Sequence, residues 1–297
     1  MRLAASCQLL VVSCQKKRKT ILLFIIAYCL LTTVASERVH AAETAETERL
    51  MRGITPSLAI VEERAEKKDE TYFDAYYEPS DIMQGNRTGH WNEITTLFGY
   101  LHDNIRGYLS VSQLERFDNK DYTANFGAYF TFKDYYIHEE IGFGWMVDYI
   151  YRLQNIAEYG HRLYKNLFWQ IGYNYRGYKT NDTHLVYPGL IYYFGDSYLS
   201  ADYGVSFIES RDTAQFATFK GNFAITEFLH WSAGIAFGER LYDIYELDAR
   251  QESGYILYTG FNIRVYKGIN FRVGCSYGTE KPKFIKRSLN FALSAKF

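Results

Sequence analysis

Proline is scarce in this sequence, with four in 297 residues. Little is therefore left to interrupt a hydrogen-bonded ladder, since proline brings no backbone N–H. The apolar run Ile21–Val34 falls short of the roughly 20 residues that a helix needs to cross a bilayer. Charge of one sign is also lacking. Lys and Arg number 33 against 34 Asp and Glu, a net of −1, which gives no sign of a nucleic-acid partner or a polyanionic substrate. The mean hydropathy of −0.27 excludes a helical membrane protein but not a barrel. A barrel needs apolar residues only at every second position, facing lipid, with polar ones in between.

Aromatic residues are abundant instead, with 28 Tyr and 21 Phe, a composition suited to extended sheets. Before them comes a targeting segment. A basic cluster, Lys16–Lys19, precedes the apolar run, and small residues offer exits after Ala35 or after Ala41. These are the parts of a secretory signal peptide, and residues 1–41 are the preferred extent. Tyr28 before Cys29 argues against a lipoprotein site. Cys7, Cys14 and Cys29 leave with this segment, so the mature chain keeps only Cys275 and no internal disulfide. Residues 42–69 are charged and helix-prone, interrupted at Pro56, and read as a periplasmic leader.

From residue 70 to 297 the pattern is alternation. About fourteen strands are expected, most of them longer than the roughly 9–11 residues that a tilted strand needs to span a membrane. Their expected ranges are 70–78, 90–102, 105–116, 121–133, 135–146, 149–162, 166–177, 183–194, 198–209, 213–225, 228–240, 253–266, 269–279 and 284–297. In the last, Leu289, Phe291, Leu293, Ala295 and Phe297 share one face while Asn290, Ala292, Ser294 and Lys296 share the other. Around Tyr266-Lys267-Gly268 the register can be counted: Val265 opposite Ile269, Ile263 opposite Phe271, Asn262 opposite Arg272. Short connections (Asp103-Asn104, Lys133-Asp134, Lys267-Gly268) take turns with longer ones (Pro79–Gly89, Gly177–Thr183, Leu241–Ser253); the short one at 146–149 breaks the rule. Both chain ends fall on the short-turn side, which in an outer-membrane barrel is the periplasm. Phe132, Tyr135, Phe194, Tyr198, Phe228 and Phe297 near short turns fit an interfacial girdle. The expected fold is an all-β, transmembrane, antiparallel up-and-down barrel.

The stretch Trp169–Ser210, with GYNYRGYK and PGLIYYFGDSYLSADYGVSF, and the final FALSAKF, resembles the YaiO-type outer-membrane β-barrel family. The resemblance covers roughly Tyr72 to Phe297 and rests on strand texture. It implies residence in a Gram-negative outer membrane, with glycan or exopolysaccharide passage among the roles suggested. It supplies no site residues. A closing strand ending on Phe297 is also the kind of signal read by barrel-assembly machinery.

Inward positions carry the only recurrent polar groups: Arg106, Arg176, Asp202, Lys220, Asn222, Asn262, Arg264, Asn270 and Arg272. They could select a solute or fill a closed interior as a salt-bridge network. Bulky inward Tyr258 and Tyr266 favour a narrow bore. His138 and Glu140 share a face but make too few ligands for a metal, and His138, His161, His184 and His230 adjoin no nucleophile motif. The expected protein is a non-enzymatic, cofactor-free barrel in outer-membrane lipid, a narrow passage for a polar solute such as a glycan. A structural or adhesive barrel and a lipid or glycan hydrolase are the alternatives. Glu139, on the expected lipid face, would be costly at mid-membrane.

Overall fold

A computed structural model of the chain describes residues 69–117, 119–179, 182–208, 213–239, 253–281 and 284–297. The expected signal peptide (1–41), the expected leader (42–69) except Asp69, and the expected long loop (241–253) except Ser253 lie outside the described residues. The strand segments are β1 (Glu70–Glu78), β2 (Ser80–Gln84), β3 (Arg87–His102), β4 (Ile105–Arg116) and β5 (Asn119–Thr131). Next come β6 (Tyr135–Trp145), β7 (Leu153–Tyr164), β8 (Leu167–Gly177), β9 (Asp182–Phe194) and β10 (Ser197–Ile208). The last are β11 (Ala214–Thr226), β12 (Leu229–Glu239), β13 (Ser253–Tyr266), β14 (Ile269–Glu280) and β15 (Phe284–Lys296).

All pair antiparallel in one sheet, and β15 closes on β1 and β2. Those two segments occupy a single position in the wall. Glu78 opposite Glu93 and Asp81 opposite His90 belong to one unbroken register with β3. Pro79 merely removes one ladder donor; its carbonyl still accepts from the Leu289 N–H at 3.0 Å. The barrel therefore has fourteen strands, as the alternation predicts. The loop expected at Pro79–Gly89 is instead strand, turning only at Gly85-Asn86.

Left-handed backbone marks the tight turns. Asp103, Lys165, Gly195 and Gly268 have φ of 49°, 30°, 58° and 80°, as two-residue hairpin loops require of one or both central residues. The predicted register of the β13–β14 hairpin holds from Leu257–Tyr277 to Arg264–Asn270. At the turn it is corrected. Ile269 pairs with Tyr266, and a bulge falls between Arg264 and Tyr266. That bulge leaves Tyr266 exposed at the rim, so it does not fill the bore, whereas Tyr258 does turn inward and is partly buried.

The connection expected to be short at 146–149 is long. β7 begins only at Leu153, and residues 146–152 fold into the barrel mouth with Ile150 and Tyr151 buried. This connection thereby joins the longer ones of its side, although 85–86 and 117–118 on that side are only two residues long. Parity holds for the walls: Phe126, Ile141, Phe143, Leu190, Phe219, Leu257 and Leu289 are exposed on the outer face. Cys275 lies there too, exposed. Glu139 is exposed on the same face, opposite Ala128 and Ala157, so its predicted parity stands. Of the expected girdle, Phe132, Tyr135, Phe194, Phe228 and Phe297 are exposed, but Tyr198 pairs with Tyr193 on the inner face.

Candidate functional site

The interior is built on a repeated device. An inward glycine sits directly opposite an inward aromatic residue: Tyr108 opposite Gly127, Tyr136 opposite Gly160, Tyr187 opposite Gly172, Tyr258 opposite Gly234. In each pair the ring fills the space where a Cβ on the glycine would stand. With no side chain in the way, three of the tyrosine hydroxyls reach past the glycine to the next strand but one. Tyr108 on β4 lies 2.8 Å from His138 Nε2 on β6 and also donates to Glu140. Tyr136 on β6 donates to Gln170 on β8 at 2.9 Å, and Tyr187 on β9 donates to Glu158 on β7 at 2.7 Å.

These ties join a continuous polar wall. His138 Nδ1 meets Glu158 at 2.9 Å, and the Tyr129 ring stacks on the imidazole with centroids 3.9 Å apart. Gln154 donates to Glu140 at 2.9 Å and accepts from Arg176 at 3.2 Å. Gln170 donates to Asp202 at 2.6 Å, and Lys220 stands 3.8 Å from the same carboxylate. Buried polar groups cost several kcal/mol unless satisfied, so this mutual pairing is what lets charge occupy the interior. Valine at Gly160 is expected to push the Tyr136 ring off Gln170 and lower stability by roughly 1–3 kcal/mol. Denaturant midpoints in detergent measure this. Alanine at Gly107, where nothing lies within 4 Å of a new Cβ, should cost little.

Toward the long-loop end the interior is dry. Glu78, Ile82, Trp91, Arg116, Gln154, Tyr187, Ile256, Phe284 and Lys286 each have relative exposure under 2%. An apolar cluster of Ile82, Trp91, Leu185, Phe216, Ile256 and Phe284 runs along the inner wall. Lys286 crosses it, 2.9 Å from Glu78 and 4.3 Å above the Trp91 ring, while Arg116 stands over Trp91 and Tyr149. The inward loop is fastened by Asp121, whose carboxylate accepts backbone N–H bonds from Asp148, Tyr149 and Ile150 at 2.9, 2.8 and 3.0 Å.

The short-turn end differs. On β11–β14, Asn222, His230, Asn262, Asn270 and Arg272 are only half-buried and Arg264 is exposed, which leaves a polar, water-accessible vestibule.

All nine residues expected at the interior hold inward positions, but they form two groups. Arg176, Asp202 and Lys220 belong to the dry wall. Asn222, Asn262, Arg264, Asn270 and Arg272 line the vestibule, and Arg106 stands at the same level with its guanidinium 4.2 Å over the Tyr72 ring. Sequence reasoning passed over Trp91, Arg116, Asp121, Glu158 and Lys286. Inward parity alone could have flagged the four charged ones. Of the histidines, His138 and His230 turn inward, whereas His161 and His184 lie on the outer face. The side-chain partners of His138 are Tyr108 and Glu158, and that of His230 is Asn222; among the described residues no serine hydrogen-bonds to either.

A closed antiparallel sheet with an apolar outer face and a polar interior defines the outer-membrane class of β-barrel. Solved structures agree. The Pseudomonas putida toluene transporter TodX superposes with a TM-score of 0.56 over 81% of this chain and 93% of that chain, at 9% identity. The Ralstonia pickettii toluene transporter TbuX gives 0.55 over 78% of this chain and 90% of that chain, at 8% identity. Likeness at such identity is likeness of fold. No family model and no curated protein matches the sequence.

Proposed function

We propose that this chain resides in the outer membrane, short turns toward the periplasm, and serves as a narrow passage for a polar solute without catalysis. The observation that carries this is the water-accessible polar vestibule at the short-turn end, leading toward an interior closed in this conformation. An apolar outer face supports the location, since only hydrocarbon covers such a surface without penalty. Membership of the YaiO-type family, and a glycan or exopolysaccharide as cargo, are part of the same proposal and rest on the sequence resemblance.

Purified protein in planar bilayers should give discrete conductance steps, rare and brief because the outer half is packed. Complete silence over long recordings, with correctly assembled protein, would count against passage and favour a structural barrel. A second reading draws on the apolar cluster around Trp91 and Phe284 and on the toluene transport named for the two neighbours. It predicts faster toluene uptake by cells expressing the chain. The Glu78–Lys286 pair inside the same region weighs against it. Hydrolysis lacks support, since no Ser–His pair forms among the described residues.

A further inference from the structure

The vestibule carries an uneven charge. At the short-turn end, the wall running from β13 through β14, β15 and β1 to β4 presents four cations on inward positions: Arg264, Arg272, Lys296 and Arg106. The inward acids of that wall at this level are Asp74 and Glu70, and both are engaged. Asp74 lies 3.8 Å from Arg272, and Glu70 lies 3.5 Å from Lys296. Arg162, across the bore on β7, has Asp134 at 4.0 Å. Arg264 and Arg106 are left with no acidic partner among the described residues. Arg106 faces the Tyr72 ring, and its Nε has no hydrogen-bond partner.

Two uncompensated guanidinium groups in a recess with low-dielectric walls make a field that draws anions inward. Around them Asn262, Asn270 and His230 offer groups that hydrogen-bond to hydroxyls. A guanidinium also holds a carboxylate better than an ammonium does, through its two parallel donors.

We infer that this vestibule receives hydroxyl-rich anions, that is, carboxylated oligosaccharides, and that Arg264 and Arg106 set the preference. The inference deepens the passage reading by naming the class of solute met first, but its test needs no current through the barrel.

Binding to the full chain in detergent can be followed by titration calorimetry, with oligogalacturonate as the anionic probe and maltohexaose as the neutral one. Oligogalacturonate should bind about fivefold tighter or more at low salt, and Arg264→Ala or Arg106→Ala should each remove about that factor. Maltohexaose binding should be unchanged by either substitution. Arg264→Lys should keep only part of the preference, since the charge stays but the paired donors are lost, and heat-modifiable gel migration checks that each variant is assembled. Equal binding of the two sugars, or an Arg264→Ala variant that still prefers oligogalacturonate, would overturn the inference. Selective binding by a barrel silent in bilayers would instead retire the passage reading alone.

Discussion

Replacing Lys286 with methionine is expected to lower stability by about 3–5 kcal/mol, because a charge is left in the dry interior without its partner. Lys286 and Glu78 are both almost fully buried and 2.9 Å apart. Tyr76 and Ser80 also hydrogen-bond to Glu78, but both are neutral donors. Removing both charges together, as Lys286→Met with Glu78→Leu, should recover most of the loss. Two apolar side chains of similar size fit beside Trp91, and neither ion of the pair then needs desolvating. Urea midpoints in detergent, taken for both single variants and the double, give the coupling directly. A single variant as stable as the parent would mean that the pair contributes nothing.

Alanine at Asp121 is expected to act on opening rather than on assembly. Its carboxylate holds three consecutive backbone N–H groups of the inward loop, and that loop carries Ile150 and Tyr151 into the mouth. Hydrogen bonds to a charged acceptor contribute about 1.5–3 kcal/mol each when they can be lost singly, but the three share one carboxylate and are not additive. A net loss of about 2–3 kcal/mol would raise the released fraction by roughly one to two powers of ten. Single-channel recordings should then show longer and larger openings, and trypsin should cut at Arg152. Asparagine keeps one acceptor oxygen but turns an amide N–H₂ toward donors, so its effect should fall between the two. Unaltered conductance together with undiminished protection of Arg152 would sink the idea that this loop closes the mouth.

Much of the barrel was legible in the chain because strand parity and turn chemistry are local properties. Leu289 and Asn290 must face opposite ways whatever they pack against, and Gly268 marks its turn by the backbone angle it alone adopts freely. Hence the strand count, the apolar outer face and the inward position of all nine polar candidates could be read before any packing was known. What misled was local too. Pro79 looks like a break, yet a strand can lose one donor and keep its register. Residues 149–152 look extended, but the Asp121 carboxylate 28 residues before Tyr149 draws the chain inward.

By itself, then, the sequence determined which face each residue of these strands presents, since alternation repeats every two residues and needs no partner. Only closure of the sheet decided which inward residues are wet and which are dry. Arg176 and Arg264 read alike along the chain. One is locked against Gln154 behind a tyrosine-bridged wall, and the other stands at an open mouth without an acid. A net charge of −1 gave no sign of that cationic arc, because composition sums over the chain while a field depends on which strands the ring brings together.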